Sequence, residues 1–120
     1  MSRGASVTIT DLPIPPSANR IWRVANGRQH KSAEYTAWLT ECGWRTAKHR
    51  NAFPGPYALA IEADRSRPYM VARDIDNLIK PVNDMLQHAG VVANDKHCMS
   101  VTARWASPMD WPMRITVSVA

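Results

Sequence analysis

Apolar residues between Leu78 and Leu86 recur at intervals of three and four, which is the spacing of an amphipathic helix. Asp76 or Asn77 can cap the start of this helix, and Gly90 suits its end, because a glycine often follows the last helical residue. We therefore predict a helix from this cap through about Ala89. Its apolar face requires a second layer to cover it.

A second helix is predicted earlier in the chain, where Ser32 can act as an N-cap. We expect this helix to run to about Arg50, because several basic residues gather where its C-terminus would lie. Its apolar positions again have helical spacing: Tyr35, Trp38, Leu39 and Cys42.

Four other segments have the composition and alternation of strands. They are Ser6–Leu12, Tyr57–Asp64, Cys98–Trp105 and Met113–Val119. Prolines end the first one, and the stretch from there to Lys31 is predicted to be a polar, basic loop. The turn Ser107–Asp110 predicts that the last two strands form a hairpin. The expected fold is α+β, in the order β-α-β-α-β-β, with two helices on a small mixed sheet and a single domain over residues 1–120.

The charge of the chain favours a polyanionic partner, since the net charge is +5 and the pI about 9.7. The alternative is a basic surface that serves only solubility. Cys42 and Cys98 lie too far apart in sequence for a C-x-x-C zinc motif, and they supply no disulfide framework. The N-terminal residues lack the apolar run of a signal peptide, and no segment is long and apolar enough for a membrane span. We therefore expect a cytoplasmic protein with no membrane partner.

The segment Arg73–Lys80, read Arg-Asp-Ile-Asp-Asn-Leu-Ile-Lys, carries the most chemical information. In extended backbone, Asp74 and Asp76 would point to the same side, and Ile75 would point to the core. Two neighbouring carboxylates repel each other, and Mg²⁺ is an apt counter-ion because it prefers oxygen ligands. The structural alternative assigns Asp76 to helix capping and pairs Asp74 with Arg73 or Arg65.

Three neighbours favour a metal site over that alternative. Asn77 can orient a carboxylate or a water, and Lys80 can reach a phosphate oxygen. Asp95 follows a helix and a turn that could return it to the aspartate pair. A metal held there would polarise a phosphodiester, lower the pKa of bound water and stabilise the leaving oxygen; one or two ions remain possible.

With Asn94-Asp95 downstream and Pro15-Pro16-Ser17-Ala18-Asn19 upstream, the Arg73–Lys80 segment resembles the RusA family of Holliday-junction resolvases, or crossover-junction endodeoxyribonucleases. The resemblance runs from Val7 to about Val119 in the same order.

The resemblance implies that Asp74, Asp76 and Asp95 are catalytic, metal-binding aspartates and that Lys80 is a required lysine. It also implies that Asn77 is the asparagine of the same block. The cofactor would be Mg²⁺, with Mn²⁺ as a possible substitute, and the active form a homodimer that nicks two strands of four-way-junction DNA. Asn94 departs from the family pattern, which often has a further acidic residue there, and this puts metal affinity in question.

Basic residues around these aspartates are predicted to contact DNA phosphates, with an ordinary solvated face as the alternative. They are Arg20, Arg23, Arg28, Lys31, Arg65, Arg67 and Arg73, together with Asn77 and Lys80. Asp84 is expected to pair with Lys80 on the helix surface, outside the site. His97 could act as a base or metal ligand, although a surface or hydrogen-bonding role is the more ordinary reading.

The tryptophans have several possible uses. Trp38 fits the helix core, and Trp22 could stack on an unpaired base. Core packing or a dimer interface is expected for Trp44, Trp105 and Trp111.

The leading functional hypothesis is an Mg²⁺-dependent endodeoxyribonuclease that resolves Holliday junctions by paired nicks in recombination and repair. The alternative is a non-catalytic branched-DNA-binding module whose acidic cluster is structural. A third possibility is a metal-dependent phosphodiesterase that acts on RNA or a small nucleotide.

Overall fold

The computed structural model describes residues 5–17, 22–25, 28–68, 70–71 and 73–120, with backbone alone for 22–25 and 28–31. Its strands and helices are β1 (Ser6–Leu12), β2 (Trp22–Ala25), β3 (Arg28–Lys31), α1 (Ala33–Arg45), β4 (Tyr57–Asp64), α2 (Ile79–His88), β5 (Cys98–Ala106) and β6 (Met113–Val119). Short 3₁₀ turns lie at Ala47–His49, Ile75–Leu78 and Asp95–His97. Among the described residues, no helix combines the length and apolar character that crossing a bilayer requires.

The main sheet has the order β1-β6-β4-β5. Strand β6 is antiparallel to both of its neighbours, whereas β4 and β5 are parallel. Ile115 of β6 lies opposite Ile9 on one side and Ile61 on the other. The sheet is therefore mixed, and with α1 and α2 it confirms the predicted α+β class.

The predicted hairpin between the last two strands is wrong, because β4 separates β5 from β6 in the sheet. The connection from β5 passes over the end of β4, where the backbone N–H of Asp64 donates to the carbonyl oxygen of Pro112 at 2.9 Å. The carboxylate of Asp64 also accepts from the backbone N–H of Met109 at 3.1 Å. These bonds hold the connection against the end of β4, and β6 then pairs with β4 on the side opposite β5.

The stretch predicted as a basic loop contains a two-stranded antiparallel sheet, which corrects that expectation. Trp22 pairs with Lys31 and Arg23 with His30 in the backbone register. The dipeptide Asn26-Gly27 between the strands is a strong hairpin signal in a sequence. The described fold thus has two strands more than the predicted order.

Helix α1 ends earlier than expected, at Arg45 rather than about Arg50. The hydroxyl of the buried Thr46 donates to the carbonyl oxygen of Cys42 at 2.8 Å, and a 3₁₀ turn then continues the chain. The predicted cap at the other end is confirmed, because the side chain of Ser32 accepts from the backbone N–H of Tyr35 at 3.1 Å.

Helix α2 begins at Ile79, and no side chain caps it, so the predicted cap at Asp76 or Asn77 is wrong. Pro81 is the third residue of this helix. The first N–H groups of a helix have no intrahelical partner, so a proline there costs no hydrogen bond. The short 3₁₀ turn Ile75–Leu78 occupies the residues where the helix was predicted to begin.

The core lies between the sheet and the two helices. Leu59, Ile61 and Ala63 of β4 are buried, and they belong to the same cluster as Leu39 of α1 and Val82 of α2. Burying a side chain of the Val, Leu or Ile type stabilises a fold by roughly 1.5–3 kcal/mol. The sheet and helices thus form a rigid support for the turns at their ends.

Candidate active site

The two aspartates of the Arg73–Lys80 segment lie just before α2. The backbone of Asp74 is extended, whereas Asp76 belongs to the 3₁₀ turn Ile75–Leu78, and both side chains are exposed. The expectation that both residues lie in extended backbone is therefore wrong at Asp76. In the described chain, no hydrogen bond or ion pair engages either carboxylate, so the proposed pairing of Asp74 with Arg73 or Arg65 is absent.

The turn is anchored from both sides. Leu78 is fully buried and Ile75 packs against the core, as predicted for Ile75. The guanidinium of the buried Arg73 donates from Nη1 to the carbonyl oxygen of Pro15 at 2.7 Å. Burial lowers the pKa of Arg73. This residue therefore joins the proline segment to the turn, a structural contact that differs from the predicted contact with phosphate.

Lys80 lies in the first turn of α2 and points into solvent, with 71% of its side chain exposed. Its Nζ is 3.5 Å from Oδ1 of Asp84, which confirms the predicted helix-surface pair. Oδ2 of Asp84 accepts from the hydroxyl of the buried Tyr35 at 2.8 Å. Burial, and then the bond to Asp84, raise the pKa of Tyr35 above its usual range, so this hydroxyl stays a donor.

Asp95 is half-buried and begins the 3₁₀ turn Asp95–His97. Its backbone N–H donates to Oε1 of Gln87 at 2.8 Å, which ties the turn to the last part of α2. The side chain of Asn94 accepts from the backbone N–H of Lys96 at 2.9 Å. Asn94, the departure from the family pattern, therefore caps the turn that presents Asp95.

The elements that carry the three aspartates adjoin one another. The turn Ile75–Leu78 contacts β5, and the turn Asp95–His97, which leads into β5, contacts α2. In the described ranges, however, no group of three or more histidine, cysteine or acidic side chains is gathered as a metal site. Asp74, Asp76 and Asp95 are thus not a preformed triad, and their role as joint ligands stays a prediction.

A polar seam runs from β4 through α2 to β5 close to Asp95. The hydroxyl of Tyr57 donates to Oδ1 of Asn83 at 2.6 Å, and Nδ2 of Asn83 is 3.9 Å from Sγ of Cys98. Burial first, and then Cys98 and the charge of Asp95, raise the pKa of Tyr57. Beside this seam, the buried Nδ1 of His97 has no hydrogen-bond partner within the described part of the chain. The role of His97 stays a prediction.

The chemistry of the acidic residues fits a hard divalent cation. Mg²⁺ commonly uses one or two protein carboxylates and completes its shell with water and substrate phosphate. Asp74 and Asp76 supply two unpaired carboxylates on one anchored segment, and Asp95 supplies a third on a neighbouring turn. Asn77, which has no hydrogen bond from its side chain in the described structure, is free to orient a ligand.

The predicted DNA-binding residues have varied placements. Arg65 is exposed and lies over the ring of Trp105, with 5.0 Å from Cζ to the ring centroid. Arg67 is half-buried, forms an ion pair with Asp64 at 3.1 Å and donates to the carbonyl oxygen of Met109. Arg20 lies outside the described residues, and only the backbone is described for Arg23, Arg28 and Lys31.

The side chains that support the site were not among the residues predicted from the sequence. Gln87 holds the Asp95 turn, and Tyr35 holds Asp84 beside Lys80. Tyr35 and Gln87 come from one helix each, so spacing along the sequence alone cannot show what either side chain contacts. Gln87 lies seven residues after Lys80, on the same face of α2, and this shared face is the local feature of the sequence that relates Gln87 to the site.

Comparison with known proteins identifies a nuclease family. Residues 13–120 match the family described as Endodeoxyribonuclease RusA. A protein of Aquifex aeolicus strain VF5, named Crossover junction endodeoxyribonuclease RusA, is 30% identical over 87 residues, which are 72% of this chain and 68% of that protein. The protein of that name from Escherichia coli strain K12 is 39% identical over 90 residues, 70% of each chain. That from E. coli O139:H28 is 38% identical over 88 residues, 71% of each chain.

The family match over residues 13–120 and the named relatives thus show that this chain is a member of an endodeoxyribonuclease family. The chain belongs to the RusA family, which confirms the resemblance drawn from its sequence.

Proposed function

We propose that this chain is an Mg²⁺-dependent endodeoxyribonuclease that resolves four-way DNA junctions by paired nicks and acts as a homodimer in recombination and repair. The observation that carries the proposal is the pair of exposed, unpaired carboxylates, Asp74 and Asp76, on an anchored segment just before α2, whose first turn carries the exposed amine of Lys80. Support comes from relatives named crossover junction endodeoxyribonucleases. The cytoplasm of a bacterial or phage-infected cell is the expected compartment.

The residues divide the reaction as follows. Asp74, Asp76 and Asp95 hold the cation, and when bound it would neutralise the scissile phosphate and activate water. Lys80 contacts a phosphate oxygen and offsets charge that develops during cleavage. In the structure Nζ of Lys80 lies 3.5 Å from Oδ1 of Asp84.

The test is cleavage of a synthetic four-way junction by Asp76→Asn, which keeps the size of the side chain and removes its charge. Changing a residue that supports a metal ligand commonly lowers metal affinity or activity about 10–100-fold. Loss of a ligand itself should therefore slow cleavage by more than about 100-fold. Junction binding should persist. Asp110→Asn makes the same change at an exposed aspartate in the β5–β6 connection and should cleave as the unaltered chain does. Cleavage by Asp76→Asn at the unaltered rate would reject the assignment.

The two alternatives predict different results in the same assay. A non-catalytic DNA-binding module would bind the junction in EDTA and would not cleave it, whichever divalent metal is added. A phosphodiesterase of other specificity would cleave RNA or duplex DNA at least as fast as the junction. The proposal requires junction cleavage that depends on added Mg²⁺ or Mn²⁺.

A further inference from the structure

A surface cleft of about 370 Å³ lies where the last turns of α1 and α2 meet. Trp44 forms one wall and is 79% exposed, which shows that the core-packing interpretation of this tryptophan is wrong. Arg50 and His88 border the cleft, and its apolar lining includes Leu39, Ala47 and Ala89. The cleft thus places an exposed indole close to the guanidinium of Arg50 and the imidazole of His88.

The charge around Trp44 is positive. In the described structure, Lys48, Arg50 and His88 form no ion pair. Glu41, the acidic residue in the second half of α1, is already paired with Arg45 at 2.9 Å. A partner for this surface should therefore carry negative charge and a flat ring. Nucleotides have both features, because bases stack on aromatic side chains and phosphates pair with arginine.

The position of the cleft suits a strand that passes the acidic turn. Lys80, Asp84 and His88 are spaced by four residues, so they form one ridge along α2. Two helical turns separate Lys80 from His88, about 12 Å at 1.5 Å per residue. A DNA strand advances about 3.4 Å per nucleotide in a duplex, so the cleft lies roughly three to four nucleotides from Lys80.

We propose that this cleft binds an unpaired nucleotide of a DNA strand, with the base stacked on Trp44 and adjacent phosphate on Arg50 and His88. The site is separate from the acidic turn and needs no metal. The inference rests on the proposed function in one respect, namely that the substrate is DNA with accessible bases.

The first test measures binding of the full chain to a labelled oligothymidylate and to a four-way junction by fluorescence anisotropy in EDTA. Stacking of one base on an aromatic side chain implies that Trp44→Ala weakens oligothymidylate binding by roughly five- to 150-fold. Trp44→Phe keeps a stacking surface and should recover most of the affinity. Met99→Ala removes another exposed apolar side chain, 67% exposed on β5, and should bind as the unaltered chain does.

The second test uses salt. For single strands, the slope of log K against log salt changes by about 0.7 for each phosphate contact, so Arg50→Gln should reduce the slope by about 0.7. Trp44→Ala should leave the slope unchanged. Lys48→Gln, at a lysine that does not line the cleft, is the matched charge control and should give a smaller change than Arg50→Gln.

Three results would overturn the inference. They are unaltered affinity in a folded Trp44→Ala variant, no oligothymidylate binding by the unaltered chain, and a Trp44→Ala variant that changes its assembly state in sedimentation instead of its DNA affinity. The last result would assign the surface to a protein interface. Because binding is measured without metal, failure of the unaltered chain to cleave junctions would reject the proposed function and leave a Trp44-dependent binding result standing.

Discussion

Removing one hydroxyl tests how the structure holds Asp84, the helix-surface partner of Lys80. In Tyr35→Phe the bond from the Tyr35 hydroxyl to Asp84, 2.8 Å long, is lost while the ring still fills its buried site. A hydrogen bond to a charged group contributes about 1.5–3 kcal/mol. Water can reach Asp84, whose side chain is 22% exposed, so we expect about 1.5 kcal/mol, the lower end. Unfolding entropy near 2.1 cal/mol/K per residue converts this loss to a fall of about 6 °C in Tm.

A double-mutant cycle isolates that interaction. Urea unfolding of Tyr35→Phe, Asp84→Ala and the double variant should give a coupling free energy of about 1–1.5 kcal/mol. Tyr57→Phe is the control, because it removes a buried hydroxyl that donates to Asn83 rather than to Asp84. Coupling between Tyr35 and Asp84 below about 0.5 kcal/mol is within ordinary additivity and would refute the reasoning.

Two further variants test other supports of the site. Leu78→Ala should lower the free energy of unfolding in urea by about 3 kcal/mol, because Leu78 is fully buried two residues after Asp76. The control Val71→Ala, at a residue 61% exposed, should change this free energy by less than about 0.5 kcal/mol. Equal losses in the two variants would contradict the anchoring role of Leu78. The hydrogen bond from the Ser66 hydroxyl lowers the pKa of Asp64 most, and bonds from the Met109 backbone and the Arg67 side chain lower it further, to well below its usual range. Asp64 therefore stabilises the fold above its unfolded pKa of about 3.9, and this contribution is lost as pH falls toward the lower folded value. Thermal unfolding between about pH 5 and pH 2 should show a steeper loss of Tm in the unaltered chain than in Asp64→Asn, and parallel profiles would exclude this role.

Local patterns predicted the elements because they record which face of each segment is buried. The spacing at Leu78–Leu86 and the alternation in Tyr57–Asp64 both reflect contact with the same core. The family was also evident from the Arg73–Lys80 segment, because packing does not require acidic residues at the exposed positions of Asp74 and Asp76. The Lys80–Asp84 pair followed from helical geometry alone.

The position of β6 in the sheet and the partners of the site residues depend on contacts between residues far apart in the sequence. The turn after β5 has the composition of a hairpin, yet Asp64, more than 40 residues earlier, binds it and sends β6 across the sheet. The turn that carries Asp95 is bonded to Gln87, and Asp84, the partner of Lys80, is bonded to Tyr35 in another helix. Such partners become visible only when the elements are packed together.

The place of β6 in the sheet has a consequence for biosynthesis. Among the described strands, β1 pairs in the main sheet with β6 alone, which is made more than 100 residues later. During translation, β1 therefore remains unpaired with β6 until residues 113–119 have left the ribosome. Pairing over such a sequence distance is slow and exposes the nascent chain to aggregation. Synthesis that stalls before Met113 should leave a product that chaperones or proteases remove.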